Sequence, residues 1–225
     1  MHYSLPAMVI TLLLIHGTAG ADTDGVIETG DIVQGKSQQE YANAWWQWAV
    51  SMPEEDSPVK DSVGIKCAVN QQGPVWFLAG GFGSSRIHRE CTIPVGKQLF
   101  FPVINMLYFP NGADAHPTCE SVRKSASLNN QYLKTFRVNV DGHEYLNPAF
   151  FRRSPEKCFD LIARKPKKYH PDTVYPSATD GYWVMLKPLA PGRHSISFSA
   201  EYDRPDGSYG RMFQDIEYSI EVSGP

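Results

Sequence analysis

The stretch that decides the fold is TDGYWVMLKPLAPGRHSISFSA, residues 179–200. The turn dipeptide Asp180-Gly181 precedes an apolar run at 182–186, and a segment rich in proline and glycine follows at 188–192. After it, apolar residues alternate with serines to position 200. The pattern predicts two β-strands joined as a hairpin. A hairpin cannot bury its apolar face alone, so the rest of the chain must supply an opposing layer.

Further strands are predicted on both sides of this stretch. Residues 75–79 and 87–93 form a second predicted hairpin, with the glycine-rich turn 80–85 between them. Residues 136–140 and 143–146 flank Asp141-Gly142, which is a strong signal for a short hairpin loop. Strands are also predicted at 98–106, with a bulge or an open edge at Pro102, and at 212–222. We therefore expect a mainly β, antiparallel sandwich of eight to ten strands, immunoglobulin-like or jelly-roll-like.

One amphipathic helix is expected to pack on this sandwich, over residues 38–52. Ser37 and Glu40 have the spacing of a capping box at its start. Trp45 and Trp48 lie on the apolar stripe and are predicted to be core, whereas Trp46 is rotated off the stripe, toward solvent or a ligand. A second, short helical excursion is predicted at 119–126.

The beginning of the chain predicts export. An apolar run at residues 7–15 is too short to span a membrane, and Ala19-Gly20-Ala21 has the small residues of a signal-peptidase site. We expect a signal peptide at 1–21, a single mature domain at 22–225 without a transmembrane segment, and a periplasmic or secreted location. The formal net charge of −3 lacks the basic excess of a nucleic-acid-binding protein.

Four cysteines lie in the predicted mature chain: Cys67, Cys91, Cys119 and Cys158. An even number in an exported protein predicts two disulfides, and three pairings are possible. We favour Cys67–Cys91 and Cys119–Cys158, because each pair closes a moderate loop. The first bridge is expected to join neighbouring strands.

The sequence shows no pattern of a catalytic or metal site. The histidines lack metal-binding spacing, no Gly-x-Ser-x-Gly elbow is present, and the cysteines are assigned to disulfides. No catalytic residue, metal or cofactor is therefore predicted. His194 is interpreted as a structural histidine that donates to a backbone carbonyl. The basic run at 164–168 is interpreted as a solvated loop.

Six residues are candidates for ligand binding. Trp46 is the tryptophan off the helix stripe, and Asn105 is a polar residue within an apolar strand. The turn-rich segment after that strand holds Asp114 and His116, which could join Asn105 in a polar site. Consecutive strand residues Tyr182 and Trp183 face opposite ways, so one is core and the other lines a pocket or packs under the helix.

Several motifs together resemble a family of exported bacterial proteins of unknown function. They are YANAWWQWAVSMP, CAVNQQGPVWFLAG, CTIPVGKQLFFPVIN, VNVDGH and DGYWVMLKPLAPGRHSISF, which span residues 41–198. The resemblance implies a single secreted domain and transfers no catalytic residue. The main functional hypothesis is a non-enzymatic envelope module that binds a protein or glycan partner, with an immunity-type inhibitor as a special case. The alternative is a hydrolase with a site built from the 105–116 loop and the loop before Asp180.

Overall fold

The computed structural model describes residues 25–82, 86–110, 117–154, 156–166, 173–207 and 211–224. The predicted signal peptide at 1–21 lies outside these residues. Two α-helices, α1 (Gln38–Ala49) and α2 (Cys119–Ser127), accompany nine strands in the described chain. The strands are β1 (Val75–Phe77), β2 (Arg86–Pro94), β3 (Gln98–Tyr108), β4 (Leu133–Val140), β5 (His143–Tyr145), β6 (Arg152–Arg153), β7 (Ala178–Leu186), β8 (Gly192–Asp203) and β9 (Arg211–Ser223).

The strands form two packed sheets, which confirms the predicted sandwich. One sheet has four strands in the order β1-β3-β7-β6, and the other has five in the order β2-β9-β8-β4-β5. Their inner faces share one core, in which the rings of Phe101 and Phe198 stack 4.9 Å apart. Most pairs are antiparallel, as predicted, but β1–β3 and β2–β9 are parallel.

The prediction of a hairpin at 179–200 is wrong, although both strands exist. β7 pairs with β3 and β6, whereas β8 pairs with β4 and β9 in the other sheet. Residues 187–191 therefore cross between the layers. The physical reason is burial: every residue of β7 is buried, because α1 covers its outer face, while β8 alternates between buried and more exposed positions.

The same correction applies to the hairpin predicted at 75–93, since β1 lies in the four-stranded sheet and β2 in the five-stranded one. The third predicted hairpin, β4–β5, is confirmed. Its two turn residues, Asp141 and Gly142, have φ values of 52° and 88°. Positive φ at both positions gives a turn whose twist matches paired strands. The predicted irregularity at Pro102 is also confirmed as a register shift between Pro102 and Ile104.

Helix α1 begins with the predicted capping box and ends at Ala49 rather than at residue 52. Trp45 and Trp48 are buried, as predicted, on the outer face of the four-stranded sheet. There the rings of Trp45 and Trp183 lie 5.5 Å apart, and Trp183 stacks on Phe100. Trp183 thus packs under the helix, one of the two positions predicted for it.

Both favoured disulfides are present, Cys67–Cys91 and Cys119–Cys158. The expectation that the first one joins neighbouring strands is wrong, because Cys67 lies in a turn and not in a strand. That bridge fastens the loop before β1 to β2. The second bridge fixes α2, which packs Val122 and Ala126 against Ala178 of β7.

Candidate functional site

Two of the six candidate residues, Trp46 and Asn105, meet in the structure. The indole Nε1 of Trp46 donates to Asn105 Oδ1 at 2.9 Å and to Thr179 Oγ1 at 3.0 Å. Thr179 in turn donates to the carbonyl of Met106 at 2.7 Å. Trp46 therefore faces β3 and β7 and is only half-buried. Sequence reasoning missed Thr179, because it looks like an ordinary strand residue.

These bonds orient the Asn105 amide. An indole N–H only donates, so the atom of Asn105 that faces Trp46 must be the oxygen. The amide nitrogen then points elsewhere, and it has no hydrogen-bond partner among the described residues. Asn105 is only 8% exposed. The nitrogen is nevertheless not one of the side-chain atoms that are buried without a partner, so it opens onto the cleft, where water or a ligand can accept from it.

Asn105 and Trp46 line a cleft of about 230 Å³. Its other walls include Phe82, Pro102, Leu107 and Met212. None of the described residues that line it is an Asp, Glu, Lys, Arg or His. The cleft is thus apolar and uncharged, with single polar groups at fixed places, which is the usual character of a ligand site.

The cleft exists because the chain after β1 is pulled away from β3. β1 follows β3 until Leu78, whose N–H donates to the Phe100 carbonyl at 3.0 Å. Arg89 then binds the carbonyls of Ala79 and Gly80, each at 2.9 Å. The arginine is 1% exposed, so these bonds lie in the protein interior.

Gln214 of β9 completes this wall. Its side chain exchanges two hydrogen bonds with the backbone of Gly81, at 2.9 and 2.6 Å. A Cβ on Gly81 would lie 2.6 Å from Ile87 Cδ1, so any side chain here would have to displace Ile87. Sequence reasoning missed Arg89 and Gln214. The strand pattern did indicate that Arg89 is buried, because it shares its strand face with Ile87 and Cys91.

The edge of β3 that borders the cleft is unpaired beyond Phe100 within the described chain. On β7, the N–H of Trp183 donates to Phe151, away from β3. Gly181 and Thr179, two and four positions earlier on β7, turn their backbone groups in the same direction, and they pair with Asn105 and Leu107 of β3. In an antiparallel pair, opposite residues point their backbone groups either toward each other or away from each other, so those of Asn105 and Leu107 point away from β7. These groups face the cleft edge, and no described backbone group bonds to them.

Asp180 lies in a different environment, on the inner face of β7. It is 1% exposed and accepts hydrogen bonds from Asn130 at 2.6 Å, from Ser154 at 2.7 Å and from Arg152 at 3.3 Å. Tyr202 donates to Asn130, and burial raises the pKa of Tyr202 well above its ordinary value. The carboxylate is fully engaged in holding β6, β7 and the turn at 130–132 together.

The remaining candidates do not reach the cleft or fall outside the described chain. Tyr182 is buried in the core between the sheets, and Trp183 is buried under α1. Asp114 and His116 lie outside the described residues, so the structure does not place them. The basic run at 164–168 is described only as far as residue 166. The Nη2 of Arg164 donates to the carbonyl of Asn70 at 3.1 Å.

His194 lies near the start of β8 and contacts a backbone carbonyl, as predicted. Its Nδ1 lies 2.6 Å from Asp141 Oδ2, and its Nε2 lies 2.8 Å from the Ala190 carbonyl. Both partners only accept, so both bonds form only with the protonated ring. Burial alone would lower the pKa of His194, but the bonds to Asp141 and Ala190 outweigh it and raise the pKa. The ring clamps the β4–β5 turn to the crossing segment 187–191.

Metal-binding and membrane-spanning features are both absent from the described residues. These residues contain no group of three or more His, Cys, Asp or Glu side chains placed to hold a metal ion. They also contain no helix with the length and apolar character needed to cross a membrane.

Comparison with known proteins gives this chain no relative from which a function could be carried over. The bacterial family suggested by its motifs therefore stays a prediction, and function has to be argued from the geometry of the cleft. No protein-family model, no curated protein and no solved structure matches the chain.

Proposed function

We propose that the protein is an exported, non-enzymatic binding module, which takes a protein or glycan partner in the cleft beside Trp46. The single observation that carries the proposal is the Asn105 amide. Its orientation is fixed by Trp46, and its N–H groups open onto the cleft without a partner among the described residues, although the residue as a whole is only 8% exposed. A ligand carbonyl or hydroxyl oxygen at this point would satisfy it.

The cleft is also preorganised. The Trp46 ring is held by two hydrogen bonds, and the opposite wall is held by Arg89 and Gln214. Rigid walls reduce the ordering entropy that binding must overcome. The signal-peptide pattern and the two disulfides support a periplasmic or extracellular location, where such bridges persist. An immunity-type inhibitor would be one form of such a module.

Binding is favoured over the hydrolase alternative because of the side chains at hand. Hydrolysis needs a nucleophile, a metal or an acid–base pair at the substrate. The described residues of the cleft supply none, and the Asp180 carboxylate is taken up by three side chains. His194 is likewise committed, since both ring nitrogens are bonded.

Two exposed phenylalanines provide a matched test. Phe82, which is 63% exposed, lines the cleft, whereas Phe150, which is 45% exposed, does not. Neutral oligosaccharides and displayed peptides would be screened by tryptophan fluorescence. We expect Phe82→Ala to weaken binding by about tenfold, a loss of about 1.4 kcal/mol, and Phe150→Ala to leave it unchanged.

Both variants should unfold at nearly the wild-type denaturant concentration, since exposed side chains contribute little to stability. Equal effects of the two substitutions on affinity would contradict the cleft as the binding site. Mass spectrometry of the incubated ligands adds a second check, because hydrolysis products that depend on the cleft would contradict a non-enzymatic role.

A further inference from the structure

We propose that the occupant of the cleft is an extended, uncharged peptide segment of a partner protein, which adds as a strand to the free edge of β3 at Asn105 and Leu107. This inference rests on the proposed function and specifies its partner. The cleft is then a site of β-strand addition, in which main-chain bonds supply affinity and side-chain pockets supply selectivity.

The backbone of β3 carries the first step. Asn105 and Leu107 each present an N–H and a carbonyl to the cleft edge, and they are spaced by two residues. Another β-strand presents its own donors and acceptors with the same spacing. A chain of sugar rings has no such repeat of alternating N–H and C=O groups. The edge therefore fits a peptide backbone better than a glycan.

The walls of the cleft carry the second step. Trp46 belongs to α1 and lies on the outer side of the β3 edge, while Met212 belongs to β9 of the opposite sheet and lies on the inner side. Side chains of an added strand alternate between these two directions. Both walls are uncharged, so a charged side chain would lose its hydration without gaining a partner. The peptide should therefore be uncharged where it contacts the cleft.

The third step compares three outer strands, β2, β5 and β6, with β3, an inner strand whose edge is left uncovered beyond its short pairing with β1. Natural proteins protect free edges with charged residues against unwanted pairing. β2 carries the exposed Arg86 and Glu90, β5 carries the exposed Glu144, and β6 carries the exposed Arg152. β3 has no charged residue in its eleven positions. The edge of β3 is thus the long, uncharged free edge of the described chain, recessed in a cleft and open to one added strand.

The experiment selects displayed random octapeptides on the oxidised, full-length mature protein and then synthesises the strongest binder. Each of its amides is N-methylated in turn, and affinity is measured by fluorescence anisotropy. An N-methyl group removes the hydrogen that the peptide amide donates, and it keeps that side of the peptide from approaching β3. We expect a loss of about tenfold or more at every second position and little change at the positions between, because alternate residues of a strand face away from its partner.

Two substitutions in the protein accompany this scan. Leu107→Pro removes an edge N–H that is not used for pairing with β7, and it should weaken the peptide by about tenfold. Thr92→Ala, on the opposite sheet, should have no effect on affinity. If Leu107→Pro fails to fold, the N-methylation scan with the wild-type protein still tests strand addition.

The outcomes separate the inference from the proposed function. Strand addition is supported if N-methylation lowers the affinity of the peptide at alternate positions and if the peptide competes with Phe82-dependent binding. Strand addition is overturned if the peptide tolerates N-methylation at every position. It is also overturned if no peptide is selected and a neutral oligosaccharide binds in a Phe82-dependent way, although the proposed binding module then stands. If neither class of ligand binds in a Phe82-dependent way, both proposals are wrong.

Discussion

Trp45 and Trp46 are consecutive residues of α1 with different partners. Trp45 is 2% exposed, and its indole donates to the Leu78 carbonyl in the core, whereas Trp46 is half-buried and orients Asn105 at the cleft. The helical period explains the difference, since successive residues are rotated by about 100°. Both residues line the cleft, but Trp45 is the one held in the core and Trp46 is the one that orients Asn105.

Substitution of the two tryptophans should therefore give separable results. We expect Trp45→Ala to lower the free energy of unfolding by about 3–5 kcal/mol, because it leaves a large cavity under α1. Trp46→Phe keeps an aromatic ring and removes the N–H, so it should cost about 1 kcal/mol while releasing the Asn105 amide and weakening ligand binding. Urea denaturation and ligand titration check the pair; a Trp45→Ala protein of wild-type stability would contradict the core assignment.

The His194 clamp predicts a dependence of stability on pH. The folded state raises the pKa of this ring, so its contribution is complete below the ordinary value of about 6.5 and is lost as the pH rises through the folded pKa. Asp141 and Glu221 are the acidic groups that favour the charged ring. Denaturant unfolding at several pH values from about 5.5 to 9 should show wild type losing stability relative to Asp141→Asn. If the free energy of unfolding changes with pH in the same way in both proteins, the His194 clamp is ruled out.

At the scale of elements, periodicity predicted the strands well and their partners poorly. An alternating or continuous apolar pattern reports which faces of a strand are buried, but it does not report which strand lies beside it. The β4–β5 hairpin was predictable because Asp141-Gly142 specifies a tight turn. Residues 187–191 specify only a change of direction, which a hairpin and a crossing between sheets share.

The pairing of β3 with β7 depends on Gly181, the residue of β7 opposite Asn105. A Cβ added to Gly181 would lie 2.5 Å from Asn105 Cα and from the Ile104 carbonyl oxygen. Gly181→Ala should therefore force the strands apart, with a loss of about 1–3 kcal/mol or more, and should displace Asn105. Thermal unfolding and ligand titration would measure both effects. Gly30→Ala is the control, since a methyl group at that position would meet nothing within 4 Å.

At the scale of the whole molecule, the two disulfides should differ in their effect on the site. They join residues 24 and 39 positions apart. Bridges that close loops of this size each contribute about 3–4 kcal/mol to stability. Cys67–Cys91 lies next to Arg89, which holds the cleft wall, whereas Cys119–Cys158 anchors α2.

Serine replacement of each cysteine pair tests this difference. Both double variants should unfold at lower denaturant concentration, and only the variant at 67 and 91 should also bind cleft ligands more weakly. Ligand affinity should be measured at a temperature at which both variants are folded. Equal loss of affinity in the two variants would contradict the assignment of Arg89 to the wall.

The whole-molecule arrangement also explains which site residues the sequence concealed. Asn105 was recognisable as a polar residue in an apolar strand, and Trp46 as a residue off its helix stripe. Arg89 and Gln214 come from the other sheet and act on the loop after β1, so no local pattern connects them to the cleft. Arginine is also rarely fully buried, yet Arg153 is buried too, and burial lowers its pKa to about 10.

The position of β9 has a consequence for how the chain is made. It follows β8 in sequence but lies between β2 and β8, and it pairs with both along most of its length. Until β9 has been synthesised, β2 has no neighbour in its sheet, and the ribbon of β8, β4 and β5 has an open side. Pairing between strands so far apart in sequence is slow. The five-stranded sheet should therefore form only after β9 has been made, because β2 gains its neighbour only then.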